Sequence, residues 1–473
     1  MIKFNNLNCT YKNSNSPALT NINLTVKKGE CLLIAGESGS GKSTILKIIS
    51  GLIPHLYDAS ISGEVFVDDV DIKLKKSYEL AQLIGLVNQD PRGQFFTSTV
   101  ITELAFACEN MGIDKDEILQ MIKIQSKQMN IENILNRKVF NLSSGEKQRV
   151  SVACAQSLSP KIFIFDEPSS NLDYASTMSL KRIIQALKDK GHTIVIVEHR
   201  VFYLEDVVDR VVYIQDGKIV DECLKNDFVN FLKTKELRSP TPFLCQFKGE
   251  HKTIGEPLIS IENLSYKTIL NNINFNISKG EIVAVVGKNG AGKTTLAKAI
   301  SGVIKKYHGS IVGDKIMLTM QDVDYQLFSE SVESEIGLGI KKPDSVLIEE
   351  TMKKVGIEDL RNRHPLALSG GQKQRVIIAA AIAGDYNTLI FDEPTSGLDL
   401  QNMKRVASLI SDVSKYKAIM VITHDFELIA SIANRLVLME KGKIVEDFKV
   451  VEENREKLIN IFKNMEEENE FKN

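Results

Sequence analysis

The chain has 473 residues with a formal net charge of −2, and 43% of its residues are hydrophobic while 25% are charged. At roughly 100 to 200 residues per domain, this length predicts two or more domains, and the composition excludes a disordered chain. The balance of charge excludes a global positive field that would attract nucleic acid.

The N-terminus and the hydropathy pattern bear on where the protein acts. MIKFNNLNCTYKN contains no apolar core of signal-peptide length, so we expect the protein to stay inside the cell. No apolar stretch approaches the roughly 18 residues that a membrane span needs, so any membrane role must come through partners. The six cysteines show no CxxC spacing, which argues against a zinc site and a disulfide framework.

The segment ECLLIAG is a continuous apolar run that ends in glycine, as expected for a strand buried on both faces of a parallel sheet. A P-loop follows it directly, with the spacing Gly36-x4-Gly41-Lys42-Ser43 before a predicted helix. Glycine lets such a loop turn its backbone N–H groups toward a triphosphate. The lysine adds a charge at the β- and γ-phosphates, and the Ser43 hydroxyl is a candidate Mg²⁺ ligand.

Further along, KIFIFDEP places an Asp–Glu pair at the end of an apolar strand. Two carboxylates there are costly to leave unpaired, so an Mg²⁺ ion and a polarised water are natural partners. We assign Asp166 to the outer shell of the metal and Glu167 to the attacking water.

The second half of the chain repeats these segments in the same order. GKNGAGKTT matches GESGSGKST with Lys293 and Lys42 offset by 293 − 42 = 251, and LSGGQKQRV and FDEPTSGLD match LSSGEKQRV and FDEPSSNLD at an offset of 226. Strands alternating with amphipathic helices in each half predict α/β architecture. We predict a first domain over residues 1–230, a proline-containing linker over 231–256 and a second domain over 257–473.

The LSSGEKQRV and LSGGQKQRV segments, each about twenty residues before a DEP segment, resemble the signature motif of ABC ATPases. The resemblance covers nearly the whole chain outside the linker and the tail. It implies two tandem P-loop NTPase domains of the ABC type, each a mainly parallel sheet flanked by helices, with a small antiparallel β-subdomain and a helical subdomain. It also implies ATP hydrolysis with Mg²⁺.

Functional roles carry over from the family to matching positions. The resemblance makes Glu167, His199, Glu393 and His424 the catalytic residues, with each histidine contacting the γ-phosphate. It makes Asp173 and Asp399 the loop aspartates that cross the domain interface. The expected metal ligands are Ser43, Gln89, Asp166, Thr294, Gln321 and Asp392. The expected ATP contacts are Tyr11, Gly36, Ser38, Gly39, Gly41, Lys42, Ser43, Thr44, Gln89, Ser143, Gly145, Tyr266, Gly287, Asn289, Gly290, Gly292, Lys293, Thr294, Thr295, Gln321, Ser369 and Gly371.

The adenine-stacking position is clear only in the first half, where Tyr11 precedes Gly36 by 25 residues. In the shortened segment ENLSYKTILN, either Tyr266 or Thr268 could align with it, and we choose Tyr266.

The segment after Gln89, DPRGQFFTSTVITELAFACENMGI, and the sequence VEHR resemble energy-coupling factor (ECF) transporter ATPases. DVDYQLFSESVESEIGLG repeats the pattern, with Gln326, Phe328, Val332 and Glu335 answering Gln94, Phe96, Val100 and Glu103. The resemblance implies import of a vitamin or other micronutrient at the cytoplasmic face of the cell membrane, with a transmembrane scaffold and a small membrane substrate-binding subunit as partners and no direct contact with nucleic acid.

Two alternatives stay open: the ATPase of a sugar-type ABC importer, which should lack the paired QxF motif, and a soluble tandem ABC ATPase that acts on ribosomes. The linker lacks the arginine-rich stretch that would favour the latter.

The resemblance further implies head-to-tail closure of the two domains on two ATP molecules, so that each P-loop meets the signature of the other half. The first P-loop would then use LSGGQ and the second LSSGE, in which Ser144 and Glu146 depart from the family pattern. A side chain at position 144 hinders the close approach of the backbone to the γ-phosphate. A carboxylate at position 146 adds negative charge near the negatively charged phosphates. We therefore expect unequal sites.

Overall fold

The computed structural model describes residues 2–12, 14, 16–247, 254–340 and 344–467. The chain divides between Thr241 and Pro242 into two compact units, here called unit 1 and unit 2. This division falls inside the predicted linker, of which residues 248–253 lie outside the described residues. Residues 231–234 complete a helix that begins at Phe228, so regular structure extends into the segment predicted as a linker.

Unit 1 is built on a six-stranded sheet with the order β10-β9-β3-β8-β7-β6, parallel except for the β9–β10 hairpin. All five residues of CLLIA in β3 are buried, as the continuous apolar run predicts. Its strands are β3 (Cys31–Ala35), β6 (Ile84–Val87), β7 (Ile162–Asp166), β8 (Thr193–Val197), β9 (Arg210–Gln215) and β10 (Lys218–Leu224).

A smaller antiparallel sheet with the order β2-β1-β4-β5 completes the strands of unit 1. It contains β1 (Ile2–Tyr11), β2 (Leu19–Val26), β4 (Ala59–Val67) and β5 (Val70–Asp71). The helices are α1 (Lys42–Ile49), α2 (Leu52–His55), α3 (Ser77–Ala81), α4 (Val100–Asn110), α5 (Lys115–Gln128), α6 (Ser144–Gln156), α7 (Tyr174–Asp189) and α8 (Phe228–Thr234). Separate apolar cores lie on the two faces of the parallel sheet.

Unit 2 repeats this plan with the sheet order β15-β16-β17-β13-β18-β19, where only β18–β19 is antiparallel. Its small antiparallel sheet has three strands, β12-β11-β14, because the segment between α9 and β15 is shorter than its counterpart in unit 1. The strands are β11 (Pro257–Tyr266), β12 (Leu270–Ser278), β13 (Ile282–Val286), β14 (His308–Val312), β15 (Ile316–Thr319), β16 (Thr388–Asp392), β17 (Ala418–Ile422), β18 (Arg435–Glu440) and β19 (Lys443–Lys449).

The helices of unit 2 are α9 (Lys293–Ile300), α10 (Val332–Gly337), α11 (Ser345–Val355), α12 (Gly370–Ala383), α13 (Leu400–Ser414), α14 (Phe426–Ile432) and α15 (Arg455–Glu467). The predicted α/β class, with a mainly parallel sheet in each half, is confirmed. Among the described residues, no helix combines the length and hydropathy that crossing a membrane requires.

Candidate functional site

The P-loop of unit 1 joins β3 to α1 and wraps around the ammonium group of Lys42. Lys42 Nζ donates to the carbonyl oxygens of Gly36 and Glu37 at 2.9 and 2.6 Å, and the side chain is only 4% exposed. Gly41 has a φ of 102°, and a Cβ atom there would lie 2.7 Å from the carbonyl oxygen of Ala18. The glycine at this position is therefore required by both conformation and space.

The P-loop of unit 2 has the same construction between β13 and α9. Lys293 Nζ donates to the carbonyl oxygens of Gly287 and Lys288, and Gly292 also has a φ of 102°. The remaining predicted ATP contacts of this region lie either in the two P-loops or in the first turns of α1 and α9. They are Ser38, Gly39, Ser43, Thr44, Asn289, Gly290, Thr294 and Thr295.

A cluster of polar side chains gathers at the carboxyl ends of β7 and β8 in unit 1. Ser43 Oγ donates to Asp166 Oδ1 at 3.4 Å. Burial, with a smaller contribution from the charge of Glu167, raises the pKa of Asp166 to about 6. Glu167 Oε2 accepts from Gln89 Nε2 at 2.9 Å, and Glu167 Oε1 lies 3.3 Å from His199 Nε2. The structure thus brings five predicted residues together.

The matching cluster in unit 2 differs in its contacts. Thr294 Oγ1 donates to Asp392 Oδ2 at 2.9 Å, and burial raises the pKa of Asp392. Glu393 Oε1 lies 3.7 Å from His424 Nε2, while Glu393 Oε2 accepts from Thr423 Oγ1 at 3.2 Å. Gln321 is exposed in the loop after β15.

Both candidate catalytic glutamates have left-handed backbone conformations, with φ of 44° for Glu167 and 53° for Glu393. Their N–H groups donate to the carbonyl oxygens of Val197 and Ile422 at 2.8 Å, which fixes each residue against the neighbouring strand. Such a conformation is unfavourable for a residue with a side chain, and strain of this kind clusters at functional sites.

The LSSGE segment forms the start of α6 through a capping box. Ser143 Oγ accepts from the N–H of Glu146 at 3.2 Å, and the Glu146 carboxylate accepts from the N–H of Ser143 at 2.7 Å and from Arg137 at 2.8 Å. Burial opposes ionisation of Glu146, yet the bonds from Ser143 and Arg137 outweigh it and lower its pKa. The charge expected to repel phosphate is therefore already paired with a guanidinium group.

The LSGGQ segment starts α12 with the same capping box, made by Ser369 and Gln372. A Cβ atom at Gly370, the position of Ser144 in unit 1, would meet no atom within 4 Å, so a side chain fits within unit 2. Gly145 and Gly371 leave less room, because a Cβ atom would lie 2.4 Å from Ser176 Oγ and 3.2 Å from Leu398 Cδ2, respectively.

The two loop aspartates are helix caps in this structure. Asp173 accepts from the N–H of Ser176 and Asp399 from the N–H of Asn402, both at 2.8 Å, at the starts of α7 and α13. Both side chains are buried.

Comparison with known proteins identifies the family. The ABC transporter family model matches residues 19–170 and 270–396, once in each unit. The chain belongs to the ABC transporter family. It is a tandem ABC ATPase, with two fused ATP-binding domains and ATP hydrolysis as its reaction.

Its relatives include proteins of similar length. A putative ABC transporter ATP-binding protein from Treponema denticola is 37% identical, with 94% of this chain and 97% of the relative covered. One from Saccharolobus solfataricus is 32% identical over 94% of this chain and 93% of the relative. Among solved structures, the archaeal ribosome recycling factor aABCE1, in complex with the ribosomal stalk protein aP1, gives a TM-score of 0.65 at 26% identity and 96% and 92% coverage.

Tyr11, the tyrosine predicted to stack on adenine in the first ATPase domain, lies beside the start of the P-loop helix α1. Tyr11 is the last residue of β1, and its hydroxyl lies 3.2 Å from Thr44 Oγ1 of α1. Two residues earlier in the strand, Cys9 lies opposite Leu19 of β2 and is buried.

The strand register corrects the position assigned to Tyr266. In the second domain, Tyr266 lies opposite Leu270, so it takes the place of Cys9 rather than that of Tyr11. Thr268, exposed in the following turn, is the positional counterpart of Tyr11. The alignment chosen from sequence was wrong because β11 ends two residues earlier than β1. Contact between the half-buried Tyr266 and adenine stays a prediction.

Sequence reasoning about the tandem ABC ATPase missed the residues that precede the two histidines. Glu198 and Thr423 occupy this position and make different contacts, of which the Thr423 bond to Glu393 is one. The difference between VEHR and ITHD in the sequence was the signal that these positions make different contacts in the two domains.

Replacing either P-loop lysine should weaken ATP binding in its own domain. Lys42→Ala and Lys293→Ala each remove a charged donor, whose hydrogen bonds contribute about 1.5–3 kcal/mol each, so we expect roughly 10- to 100-fold weaker binding at one site. Titration of each full-length variant with a fluorescent ATP analogue measures this. The control is Lys28→Ala, an exposed lysine in the turn between β2 and β3. Unchanged affinity at both sites would contradict the phosphate-binding role.

Proposed function

We propose that this tandem ABC ATPase drives an importer that resembles energy-coupling factor transporters and takes up a vitamin or another micronutrient. Its partners are then a transmembrane scaffold and a small membrane substrate-binding subunit, and it acts at the cytoplasmic face of the cell membrane. The main observation behind the proposal is that each domain has a highly exposed phenylalanine whose backbone N–H is bound by a buried glutamate. The relatives described as putative transporter ATP-binding proteins support it.

In the first domain, Phe96 is 74% exposed and stacks on Phe106 of α4 with ring centroids 5.1 Å apart. The loop around it is rigidly held, because the buried Glu103 carboxylate accepts from the N–H groups of Phe96 and Thr97 at 3.1 and 2.7 Å. Glu103 is therefore an internal anchor of the loop.

The second domain repeats this arrangement. Phe328 is 80% exposed, and its N–H donates to the buried Glu335 carboxylate at 2.9 Å. Gln326 Nε2 donates to the carbonyl oxygen of Leu318 at 2.8 Å, as Gln94 Nε2 does to that of Leu86 at 2.9 Å in the first domain.

Gln94 connects the exposed phenylalanine with the ATP-site elements. Its Oε1 accepts from Ser151 Oγ of α6 at 2.9 Å, and its Nε2 binds the end of β6, the strand that leads to Gln89. A partner that pushes on Phe96 therefore acts on the helix that begins at the signature and on the loop of a candidate metal ligand.

An apolar helix of a membrane subunit fits this surface better than a polar partner. Aromatic residues are enriched among the residues that carry the binding energy of interfaces, which favours Phe96 and Phe328 as contact points. A helix that docks on a protein lays its apolar face against a hydrophobic surface of this kind. The paired QxF motif also favours this class over a sugar-type importer.

Within this function we propose roles for the clustered residues. Glu167 and Glu393 orient the attacking water, and His199 and His424 contact the γ-phosphate. The hydroxyl–carboxylate pairs Ser43–Asp166 and Thr294–Asp392 are oxygen donors of the kind that Mg²⁺ prefers, completed by Gln89, Gln321 and ATP phosphates. The metal would neutralise charge on the phosphates. Tyr11 stacks on adenine.

Replacing the two phenylalanines should release the protein from membranes. We expect Phe96→Asp with Phe328→Asp to lower the membrane-bound fraction at least tenfold, because each carboxylate would have to be desolvated at an apolar interface. Fractionation of cells that express the full chain measures it. The control is Leu74→Asp, an 81% exposed apolar residue elsewhere on the first domain. Normal membrane association of the double variant, with normal ATPase activity, would contradict the importer proposal.

A ribosome-associated function is the second candidate, and the likeness to archaeal aABCE1 favours it. The two candidates predict different partners for the same full-length chain. Under the ribosome hypothesis the protein sediments with ribosomes in a sucrose gradient, and the Phe96→Asp, Phe328→Asp variant still does so. Under the importer proposal it co-purifies with multi-span membrane proteins.

A further inference from the structure

The carboxylate of Glu198 lies at a junction between two loops of unit 1. Glu198 follows the last residue of β8 and precedes His199, and it is only 2% exposed. An acidic side chain buried to this degree must be held by strong hydrogen bonds.

Four donors meet this carboxylate. Glu198 Oε1 accepts from the N–H groups of His199 and Arg200 at 2.9 and 3.2 Å. Glu198 Oε2 accepts from the N–H of Ser169 at 3.2 Å and from the Tyr203 hydroxyl at 2.9 Å. One oxygen therefore holds the histidine loop, and the other reaches the loop that follows Glu167.

Arg200 adds a second connection between the same loops. Its guanidinium NH1 donates to the carbonyl oxygens of Ser169 and Leu172 at 3.4 and 3.2 Å, just before Asp173. Its side chain also lies over the ring of Phe202, with 5.7 Å between Cζ and the ring centroid. The segment 169–172 and the histidine loop are thus held to each other at several points.

Unit 2 joins its two loops with different residues. Thr423 stands in place of Glu198, and its hydroxyl donates to Glu393 directly. Asp425 stands in place of Arg200, and its Oδ2 accepts from Thr395 Oγ1 at 2.7 Å. Thr423 and Asp425 therefore connect the two loops of unit 2, as Glu198 and Arg200 connect the corresponding loops of unit 1.

We propose that Glu198 is a positioning residue of the unit 1 ATP site, where it holds the His199 loop against residues 169–172 so that Glu167 and His199 keep their mutual geometry. This inference rests on the proposed roles of Glu167 and His199. Glu198 does not contact the reacting groups itself. It acts through backbone N–H groups on both sides of the pair, and unit 2 has no glutamate at this position.

The decisive variant is Glu198→Gln, made in a Glu393→Gln background so that turnover reports on the unit 1 site. In one orientation the amide points its NH₂ group at the N–H groups of His199 and Arg200, and in the other at the N–H of Ser169, so at least one of the two loops loses its acceptor. We expect kcat to fall at least tenfold while KM for ATP changes less than about threefold, since displacements of about 1 Å can reduce rates about 100-fold. The matched control is Glu205→Gln, an exposed glutamate in the same loop.

A rescue variant separates positioning from a general loss of structure. Glu198→Thr alone should lower kcat as Glu198→Gln does. Glu198→Thr combined with Arg200→Asp installs the unit 2 residues opposite the Ser169 hydroxyl, and we expect it to restore kcat to within about threefold of the background.

Three outcomes would overturn the proposal. An unchanged kcat in Glu198→Gln would show that the carboxylate does not position the site. A parallel loss of ATP affinity and melting temperature, without rescue by the double variant, would show a role in folding alone. If Glu167→Gln in the same background left turnover intact, the role of Glu167 itself would be wrong, and that result is distinguishable from failure of Glu198 alone.

Discussion

Glu167→Gln should lower steady-state ATP turnover more than Glu393→Gln does. If the two domains close head to tail, as the family resemblance implies, Glu167 serves the site completed by LSGGQ, which matches the family pattern in full. We expect the double variant to lose about 100-fold or more of the turnover, the usual range for removing a general base. The larger share should come from Glu167→Gln.

The contacts of the signature segments refine the cause of this difference. Because Arg137 neutralises Glu146, we assign the weaker site to the Ser144 side chain rather than to the carboxylate. Ser144→Gly should therefore reduce the difference in ATP turnover between the Glu167→Gln and Glu393→Gln variants. Glu146→Gln should change that difference little. The measurement is ATP hydrolysis by the full chain together with its proposed membrane partners. Equal losses, or a larger loss from Glu393→Gln, would show that signature differences do not determine the working site.

Gly36→Ala should abolish ATP binding by unit 1 and destabilise that unit. A Cβ atom at this position would lie 2.3 Å from the carbonyl oxygen of Ile214 in β9, so the loop must move away from the sheet. We expect a loss of about 3 kcal/mol, which corresponds to a melting temperature roughly 6 to 12 °C lower for a unit of this size. Thermal unfolding and nucleotide titration of the full chain measure both effects.

Gly39→Ala is the matched control in the same loop. An added Cβ atom there meets nothing within 4 Å, although its φ of 84° makes alanine unfavourable by about 1–2 kcal/mol. Because Gly39 is itself an expected ATP contact, the comparison between the two variants is made on thermal unfolding, where Gly39→Ala should lower the melting temperature less than Gly36→Ala does. If both variants unfolded at the same temperature, close approach of the loop to β9 would not be what requires glycine at position 36.

The parts of this protein that follow from local chemistry could be predicted from sequence. The buried strands, the two P-loops and the strand-end carboxylates each depend on a few adjacent residues, and LSSGE and LSGGQ add the identity of the family. The structure places Lys42 inside its P-loop and brings Ser43 to Asp166 and Gln89 to Glu167, whereas their contacts with ATP and Mg²⁺ stay predictions.

What escaped prediction depends on contacts between distant residues. Glu198 reads as an ordinary charged residue until Ser169 and Tyr203 are seen to surround its carboxylate. Gln94 and Glu103 were assigned with Phe96 to a partner-binding segment, yet only Phe96 among these three is well exposed. Tyr266 was misaligned because pairing across the sheet, rather than residue type, sets its register.

The left-handed conformations of Glu167 and Glu393 bear on the history of the duplicated gene. Glycine adopts such a backbone without strain, so selection for folding alone would favour glycine at both positions. A domain copy that had ceased to hydrolyse ATP would gain up to about 1 kcal/mol by that exchange and would be free to drift toward it. Glutamate in this costly conformation in both units is the outcome expected if Glu167 and Glu393 each serve ATP hydrolysis, as proposed above.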